Sequence, residues 1–274
     1  MAESLIRFAA GTVLAIIVVT IGRRQRWLTS QGAIVAAAAG AIITGAGGWW
    51  WGVLLVTFFA SSSALSTFRR GATDTMTARG HERDARQVIA NGGVATAIAA
   101  LGVVTRGPLE PLHFALFCGA IAAVTADTWA TEIGRFSRAA PRLITNGRPV
   151  ARGRSGGITP LGTAGSALGG TLIGAQAALG VAAGWVTGPP PWTLLAATAV
   201  AGLVGSLLDS LLGATIQAAY VEARSGRITE WQHDAGGNLT TLVRGARWIT
   251  NDIVNAAASL AGAVVAGVIW RLSG

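Results

Sequence analysis

The chain has 274 residues, of which 51% are hydrophobic and 12% are charged, and its formal net charge is +9. This low charge is untypical of a soluble globular protein and favours an integral membrane protein. All 21 basic residues are arginine, and a sequence without lysine excludes a Walker A nucleotide site and a Schiff-base enzyme. The single cysteine, Cys118, excludes a disulfide framework, and its apolar neighbours favour a small buried side chain over a nucleophile.

Eight apolar runs are long enough to cross a hydrocarbon core of about 30 Å, which needs roughly 20 helical residues. No A-x-A cleavage site follows the first run, so we expect it to be a retained helix. The sequence therefore predicts an all-α integral membrane protein, a single polytopic domain over residues 1–274 with short loops. The predicted helices cover approximately residues 5–22, 32–48, 49–67, 88–105, 112–133, 161–186, 192–219 and 251–271.

Arginine is concentrated in alternate loops. The loops after the first, third, fifth and seventh predicted helices hold three, five, six and four arginines, which is 18 of the 21. Because short basic loops stay in the cytoplasm, we predict that these four loops are cytoplasmic and that both termini lie on the opposite side. The unusual polar segments all fall at the same, cytoplasmic side, which is where we expect a functional site.

Three carboxylates lie at this depth. Asp127 and Glu132 follow the apolar run "FALFCGAIAAVT", and Asp209 is deeper, within "GSLLDSLLGATIQ". An ionised Asp inside a bilayer costs a few kcal/mol, so it needs an ion pair, a hydrogen bond from a neighbouring helix or a polar cavity. Three carboxylates together would repel one another without a cation, and oxygen ligands favour Mg²⁺, so Asp127, Glu132 and Asp209 are predicted metal ligands. Glu132 is about 140° from Asp127 on an ideal helix, so it joins that site only if the helix ends there, as Gly134 could allow.

The loop "RGRSGGITPLGT" is a candidate phosphate site. Glycine permits concave turns that expose N–H groups, and arginine binds phosphate through two parallel hydrogen bonds. The alternatives are that the glycines serve helix packing and that the arginines only orient the protein. The candidates in this loop are Arg152, Gly153, Arg154, Ser155, Gly156, Gly157, Thr159, Gly162 and Thr163.

Other polar residues are predicted near the same depth. The segment "RDARQVIANGG" adds Arg83, Asp84, Gln87 and Asn91 as phosphate or nucleotide contacts, with Asp84 also a candidate catalytic residue. Ser62 and Ser63 would lie by a lipid-acceptor pocket, although hydroxyls of this kind also bridge helices. Gln217 and Asn255 are further nucleotide candidates, with helix capping as the alternative for the segment "TNDIVN". The histidines His81, His113 and His233 lack metal-ligand spacing, and residues 225–240 form a surface hairpin or a lid.

This combination suits phosphoryl transfer between a soluble nucleotide and a lipid. Mg²⁺ and arginines would spread the charge of the transferred group, and positioning supplies most of the remaining catalysis. An acceptor that is already a phosphate needs no strong general base, which agrees with the lack of a credible catalytic histidine. An alcohol acceptor would need a base, and Asp127 or Asp84 would then be the candidate.

Five segments, in this order, resemble an integral membrane family: "RDARQVIANGG", "ADTWATEIG", "GRSGGITPLGT", "GSLLDSLLGATIQ" and "TNDIVN". The chain is similar over most of its length to the plant and cyanobacterial phytyl-phosphate kinases, long classed as a domain of unknown function, with archaeal and animal members. The resemblance implies phosphoryl transfer from a nucleoside triphosphate, with CTP a candidate donor, to an isoprenoid monophosphate such as phytyl, geranylgeranyl or farnesyl phosphate. It also implies functional roles for Asp84, Gln87, Asn91, Asp127, Glu132, the 153–163 loop, Asp209, Gln217 and Asn255.

Two other classes remain open at this point. An isoprenoid alcohol kinase or a cytidylyltransferase would use the same metal, arginines and location. An ion-coupled transporter would use Asp127 and Asp209 as ligands within the membrane, but it would also need polar groups along the outer halves of the helices, which look apolar. The expected partners are the nucleotide, the isoprenoid phosphate and the bilayer, and no nucleic acid. Tocopherol metabolism is implied only if the source organism makes chlorophyll.

Overall fold

The fold is a bundle of long apolar helices with two small β sheets at one end. The computed structural model describes residues 2–68, 82–105, 110–234 and 236–273. Within these ranges the helices are α1 (Ala2–Arg24), α2 (Ser30–Gly47), α3 (Trp49–Phe68), α4 (Ala85–Val104), α5 (Glu110–Gly134), α6 (Pro160–Ala182), α7 (Pro191–Thr215) and α8 (Asn251–Leu272). The strands are β1 (Arg142–Leu143), β2 (Gly157–Ile158), β3 (Ala219–Val221), β4 (Ile228–Thr229) and β5 (Thr241–Arg244).

The predicted architecture is confirmed. Eight helices in the described residues are long and apolar enough to span a membrane, and each corresponds to one predicted run. The C-terminal ends of two helices differ from the predicted ends by several residues. Helix α6 stops at Ala182 because Gly184 takes a φ of +71° and Trp185 N–H bonds back to Gly180, a closing motif that glycine favours. Helix α7 stops at Thr215 because the chain then turns into strand β3.

Helix α5 forms the centre of the bundle. In its most apolar stretch 67% of the residues are buried, against 17% for α1. Small residues let its neighbours approach closely: a Cβ added at Gly119 would lie 2.3 Å from the carbonyl oxygen of Gly262 on α8. Helices α3, α4, α6, α7 and α8 all pack against α5. The buried aromatic residues Trp51, Phe114 and Phe117 stack at the core between α3 and α5.

The strands were not predicted. Strands β1 and β2 pair antiparallel between α5 and α6, with Arg142 opposite Ile158. Strands β4, β3 and β5 form an antiparallel sheet between α7 and α8, with β3 in the middle. Residues 225–240 belong to this second insertion, as the hairpin alternative expected. We call the end of the bundle that carries both insertions the arginine-rich face.

Candidate functional site

A group of charged and polar side chains gathers at the arginine-rich face, between the last turns of α5 and α7 and the two β insertions. We call it the central polar cluster and define it as Asp127, Arg154, Ser155, Asp209, Gln217, Glu230 and Arg244.

Its acidic part joins two helices and a loop. Asp127 lies two turns before the end of α5 and Asp209 lies about two turns before the end of α7. The charge of Asp209 interacts with those of Asp127 and Glu230. The Oδ2 atom of Asp209 is buried and has no hydrogen-bond partner within the described ranges. A buried carboxylate oxygen that lacks a donor beside other carboxylates is unfavourable alone and suits the coordination of a cation.

Glu132 does not belong to this acidic group. Helix α5 continues to Gly134, so the two side chains keep their helical separation of about 140°. Glu132 accepts a hydrogen bond from Ser66 Oγ at 2.9 Å and interacts with the charge of Arg83, on the α3 and α4 side. Among the described residues, no three His, Cys, Asp or Glu side chains converge in a way that could hold a metal ion. The predicted three-carboxylate magnesium site is therefore wrong in including Glu132.

The remaining pair still fits magnesium. Mg²⁺ is commonly bound by one or two carboxylates, with water and substrate phosphates completing its six ligands. Asp127 and Asp209 supply such a pair, and the Oδ2 atom of Asp209 is left without a donor. These two residues are the ones that would hold the ion.

The basic part of the cluster is a pair of arginines. Arg154, from the glycine-rich loop, lies close enough to Arg244 on β5 for their charges to repel. Burial lowers the pKa of the Arg244 guanidinium and Arg154 lowers it further, while Glu230 acts in the opposite direction. The Nε atoms of both arginines are buried without a hydrogen-bond partner in the part of the chain that the structure describes. Two adjacent guanidinium groups with unused donors form an arrangement that an anion such as phosphate would stabilise.

Arg244 also ties the second β insertion to α7. Its Nη1 donates to the carbonyl oxygen of Ala214 at 2.9 Å, and its Nη2 donates to that of Gly213. These carbonyls lie in the last turn of α7, where a positive charge is favoured by the helix dipole. The arginine therefore fixes β5 over the end of the helix that carries Asp209.

Gln217 and Ser155 connect the loop to the same helix end. Ser155 Oγ donates to Gln217 Oε1 at 3.1 Å, and Gln217 is almost completely buried. A Cβ at Gly213 would lie 2.3 Å from Ser155 Oγ, so only glycine allows this approach. The Nε2 atom of Gln217 makes no hydrogen bond of good geometry to a described residue, although it lies beside the carboxylate of Glu230 and favours its ionised form.

Glu230 is the acid that the sequence analysis missed. Burial raises the pKa of its carboxyl group, while Gln217 and Arg244 lower it and Asp252 raises it again. Asp252, in the first turn of α8, thus lies near the cluster too. Asn255, a predicted nucleotide contact, lies one helical turn after Asn251 at the same end of α8. The clue in the sequence is the placing of Glu230 and Arg244 at the ends of two short β-prone segments, "RIT" and "TLV".

The glycine-rich loop offers less backbone than we predicted. The N–H groups of Arg154 and Gly157 already donate to carbonyls within the loop. Thr159 caps α6 by accepting from Gly162 N–H at 3.0 Å, and Thr163 Oγ1 donates back to the Thr159 carbonyl. The prediction of a cradle built from free N–H groups is therefore wrong for these positions, and the loop contributes mainly the side chains of Arg154 and Ser155.

Other predicted loop residues have structural contacts. Arg152 donates to the carbonyl oxygens of Arg135 at 3.4 Å and Ser137 at 2.6 Å, beyond the end of α5. Gly153 is exposed with a φ of +78°. Gly156, with a φ of +84°, packs so tightly on α7 that an added Cβ would lie 2.4 Å from that of Ala214. These residues shape the loop.

A second group, which we call the lateral cluster, consists of Ser63, Ser66, Arg83 and Glu132. Arg83 Nη1 donates to Ser63 Oγ at 2.6 Å, and its guanidinium lies 5.8 Å from the centre of the Phe59 ring. Burial lowers the pKa of Arg83, and Glu132 raises it. The neighbouring Ser62 is fully buried. The cluster joins α3 and α5 to the segment that precedes α4.

Asp84 and Gln87 form a capping box at the start of α4. Asp84 Oδ1 accepts from Gln87 N–H at 3.0 Å, and Gln87 Oε1 accepts from Asp84 N–H at 3.3 Å. This reciprocal arrangement satisfies backbone donors that the helix leaves free, which accounts for both residues without a ligand. The prediction that Asp84 is a catalytic residue is therefore replaced by a capping role. Asn91, two turns further along α4, lines an apolar cavity.

The two histidines that the structure describes belong to neither cluster. His113 is buried near the start of α5, where its Nε2 lies 3.1 Å from Thr105 Oγ1. His233 is exposed in the second β insertion. His81 lies outside the described residues.

Comparison with known sequences identifies the family. Residues 13–263 match the family described as "Integral membrane protein DUF92". The chain belongs to this family. The membership implied by the five motifs is confirmed at this level.

Curated relatives come from plants, archaea and cyanobacteria. The chain is 32% identical to Protein PGR of Arabidopsis thaliana over 54% of its own length and 57% of the relative's. It is 34% identical to an uncharacterized membrane protein of Methanocaldococcus jannaschii over 49% of the chain and 52% of that protein. An uncharacterized membrane protein of Synechocystis is 27% identical over 64% of the chain and 56% of that protein. The matches thus span little more than half the length of these relatives, and no solved structure matches the chain significantly.

Proposed function

We propose that the protein is a membrane kinase that transfers a phosphoryl group from a nucleoside triphosphate, with CTP as the candidate donor, to an isoprenoid monophosphate. The observation that carries the proposal is the central polar cluster, where a carboxylate pair and an arginine pair meet at the arginine-rich face, with buried polar atoms that lack hydrogen-bond partners among the described residues. Phytyl, geranylgeranyl and farnesyl phosphates are the candidate acceptors.

In this reaction an oxygen of the acceptor phosphate attacks the γ-phosphorus of the nucleotide. The bond from that phosphorus to the β,γ-bridging oxygen breaks, and a nucleoside diphosphate leaves with the bonding electron pair. The acceptor oxygen is already anionic, so no side chain has to remove a proton from it. Catalysis then depends on orientation and on stabilising the charge of the transferred group.

The residues of the cluster divide these tasks. Asp127 and Asp209 would hold Mg²⁺, which when bound supplies charge neutralisation to the phosphate oxygens. Arg154 and Arg244 would direct guanidinium groups at the nucleotide phosphates. Ser155 and Gln217 hold the glycine-rich loop against the end of α7 and so position Arg154. The negative charge of Glu230 favours the protonated form of Arg244.

We also propose on which side of the membrane the central polar cluster lies. The distribution of arginine favours a cytoplasmic location for the arginine-rich face, with the termini on the opposite side. A soluble nucleotide would then reach the cluster directly, while the acceptor would arrive within the bilayer.

The test follows γ-phosphate from labelled nucleotide onto a panel of prenyl monophosphates and prenyl alcohols, using the full chain in lipid nanodiscs. We expect transfer to a monophosphate, dependence on Mg²⁺, and loss in Asp127→Asn and Asp209→Asn. Glu110→Gln is the matched control, because Glu110 is exposed at the opposite end of α5. Turnover of the alcohol alone, release of pyrophosphate, or undiminished activity of both Asn variants would overturn the proposal.

A further inference from the structure

An apolar cavity lies in the half of the molecule that the central polar cluster does not use. It is enclosed by α1, α2, α3 and α4, and none of the residues of the central polar cluster lines it. Most of the wall is aliphatic or aromatic, with Leu14, Val18, Ala36, Leu55 and Phe58 as examples. Leu14 is 40% exposed on the outer surface of the bundle, so the cavity borders the lipid-facing side. We call it the lateral groove.

Small residues on two helices create the space. Helix α2 contributes Ala36, Ala39 and Gly40, and α1 contributes Ala15. The lining of α2 extends to Thr44, eight residues from Ala36, which corresponds to about 12 Å along the helix axis. The groove is therefore long and narrow and follows the helices across part of the membrane.

The polar end of the groove lies at the arginine-rich face. Arg83, just before α4, and Gln87 and Asn91, on α4, are the polar side chains of its α4 wall. Arg83 is anchored there by its backbone, because its N–H donates to Trp27 and its carbonyl accepts from Thr29. A Cβ at Gly32 would lie 2.3 Å from that carbonyl, so the start of α2 is pressed against this segment.

Arg83 presents a cation at the mouth of an apolar passage. Its guanidinium stands over Phe59, which also lines the groove, and Ser63 accepts one of its hydrogen bonds. Glu132 partly balances its charge. An arginine has five N–H donors, and among the described residues the Arg83 side chain uses one of them, in its bond to Ser63, so it can also bind a phosphate.

The lateral groove also lies next to the proposed reaction centre. Glu132, which interacts with Arg83, is five residues from Asp127 on α5, or about 7.5 Å along the axis. Trp129 Nε1 donates to Ser61 Oγ at 3.2 Å and holds α5 against α3 between the two sites. A phosphate at Arg83 and the carboxylate pair would thus lie near the same end of α5, on faces of the helix about 140° apart.

We propose that the lateral groove binds the hydrocarbon tail of the isoprenoid monophosphate, with its phosphate at Arg83 beside Ser63. This inference rests on the proposed function and specifies how the acceptor enters: from the bilayer beside Leu14 of α1, and not through the α6 to α8 side.

The experiment uses photocrosslinking, which needs neither nucleotide nor turnover. A farnesyl monophosphate with a diazirine in its terminal isoprene unit is irradiated with the full chain in nanodiscs, and the modified peptides are mapped by mass spectrometry. We expect labels on the α1 to α4 wall, competed by unlabelled farnesyl or geranylgeranyl phosphate but not by phosphatidylglycerol. Labels confined to α6, α7 or α8, or equal competition by phosphatidylglycerol, would overturn the inference.

Three variants sharpen the result. Ala39→Phe fills the groove, and Ala38→Phe places the same ring on the exposed face of α2 as a matched control. We expect labelling to fall roughly tenfold in the first and to stay near the wild-type level in the second. Arg83→Gln should weaken competition by the monophosphate roughly tenfold and leave competition by the alcohol unchanged, because only the phosphate uses the charge. An equal fall in labelling for the two Phe substitutions would contradict binding of the tail in the lateral groove.

The outcomes separate this inference from the proposed function. If the groove is labelled, the prenyl phosphates compete for that labelling, and no γ-phosphate is transferred, then the lateral groove is supported and the kinase activity is refuted. Transfer with labels elsewhere would refute the groove and leave the kinase standing. If Ala39→Phe does not fold, the positions labelled in the unmodified protein still decide the question.

Discussion

The central polar cluster and the lateral cluster include residues on faces of α5 about 140° apart at the same end of the bundle, and they differ in how their charges are satisfied. In the lateral cluster Arg83 donates to Ser63, and Glu132 accepts from Ser66. In the central cluster Asp209 Oδ2 and the Nε atoms of Arg154 and Arg244 are buried without partners among the described residues. Each such atom costs about 1–3 kcal/mol, and the proposed nucleotide and Mg²⁺ would offset part of that cost.

The largest effect is expected at the central cluster. Asp209→Asn should lower phosphoryl transfer on the order of a thousandfold, because it removes a charge that would hold the metal. The same change should leave the unliganded protein as stable as before or more stable, since it removes a buried, unpaired charge. Initial rates and thermal unfolding in detergent measure the two quantities, with Glu110→Gln as control. A large loss of stability would show that Asp209 has a structural role.

Glu132→Gln should lower stability more than activity, which is the reverse of the effect expected for Asp209→Asn. It leaves Arg83 half-buried with a weaker electrostatic partner, and we expect the free energy of unfolding to fall by about 1–3 kcal/mol. The rate per folded molecule should change by less than tenfold. The measurement is the unfolding midpoint together with activity normalised to folded protein. Unchanged stability with abolished activity would return Glu132 to the metal site.

Asp84→Ala tests the capping box. Loss of the cap should lower the free energy of unfolding by about 1 kcal/mol, and Asp84→Ser should restore most of it, because serine also caps well. Transfer activity should persist in both variants. Abolished activity in the serine variant would instead support the catalytic role predicted from the sequence.

The smallest effect concerns pH. Burial raises the pKa of Glu230 above its ordinary value of 4.5 in the folded protein. The folded state then holds a proton that the unfolded state loses, so stability from this group is present below pH 4.5 and is lost as pH rises through the raised value. Glu230→Gln removes this loss. We expect the variant to gain stability over wild type at neutral pH and the gain to shrink as pH falls toward 4.5. A gain that does not depend on pH would contradict the raised pKa.

The helices were predictable because each apolar run is long enough to span a membrane and is bounded by arginine, glycine or proline. The sequence also indicated that Asp127, Arg154, Ser155, Asp209 and Gln217 belong to one face, and the structure brings these five together. Their convergence follows from alternating helix directions, which place the ends of α5 and α7 side by side.

The remaining features needed three-dimensional information. The side of α5 on which Glu132 lies depends on the helix continuing to Gly134, which the sequence left open. Glu230 and Arg244 join the site through strands of two and four residues, which are too short for a period of two to be recognised. The capping role of Asp84 is different, because the sequence alone could have predicted it. In "DARQ" a capping acid is followed at the third position by glutamine, which is the pattern of a capping box.

Binding of a magnesium nucleotide at the central polar cluster can be measured without turnover. Thermal stabilisation of the full chain by Mg²⁺ with a non-hydrolysable CTP analogue should be compared in wild type, Asp209→Asn and Glu110→Gln. We expect stabilisation that requires both Mg²⁺ and nucleotide, that is lost in Asp209→Asn and that is retained in Glu110→Gln. Equal stabilisation of all three proteins, or none in wild type with any nucleoside triphosphate analogue, would contradict binding at the central polar cluster.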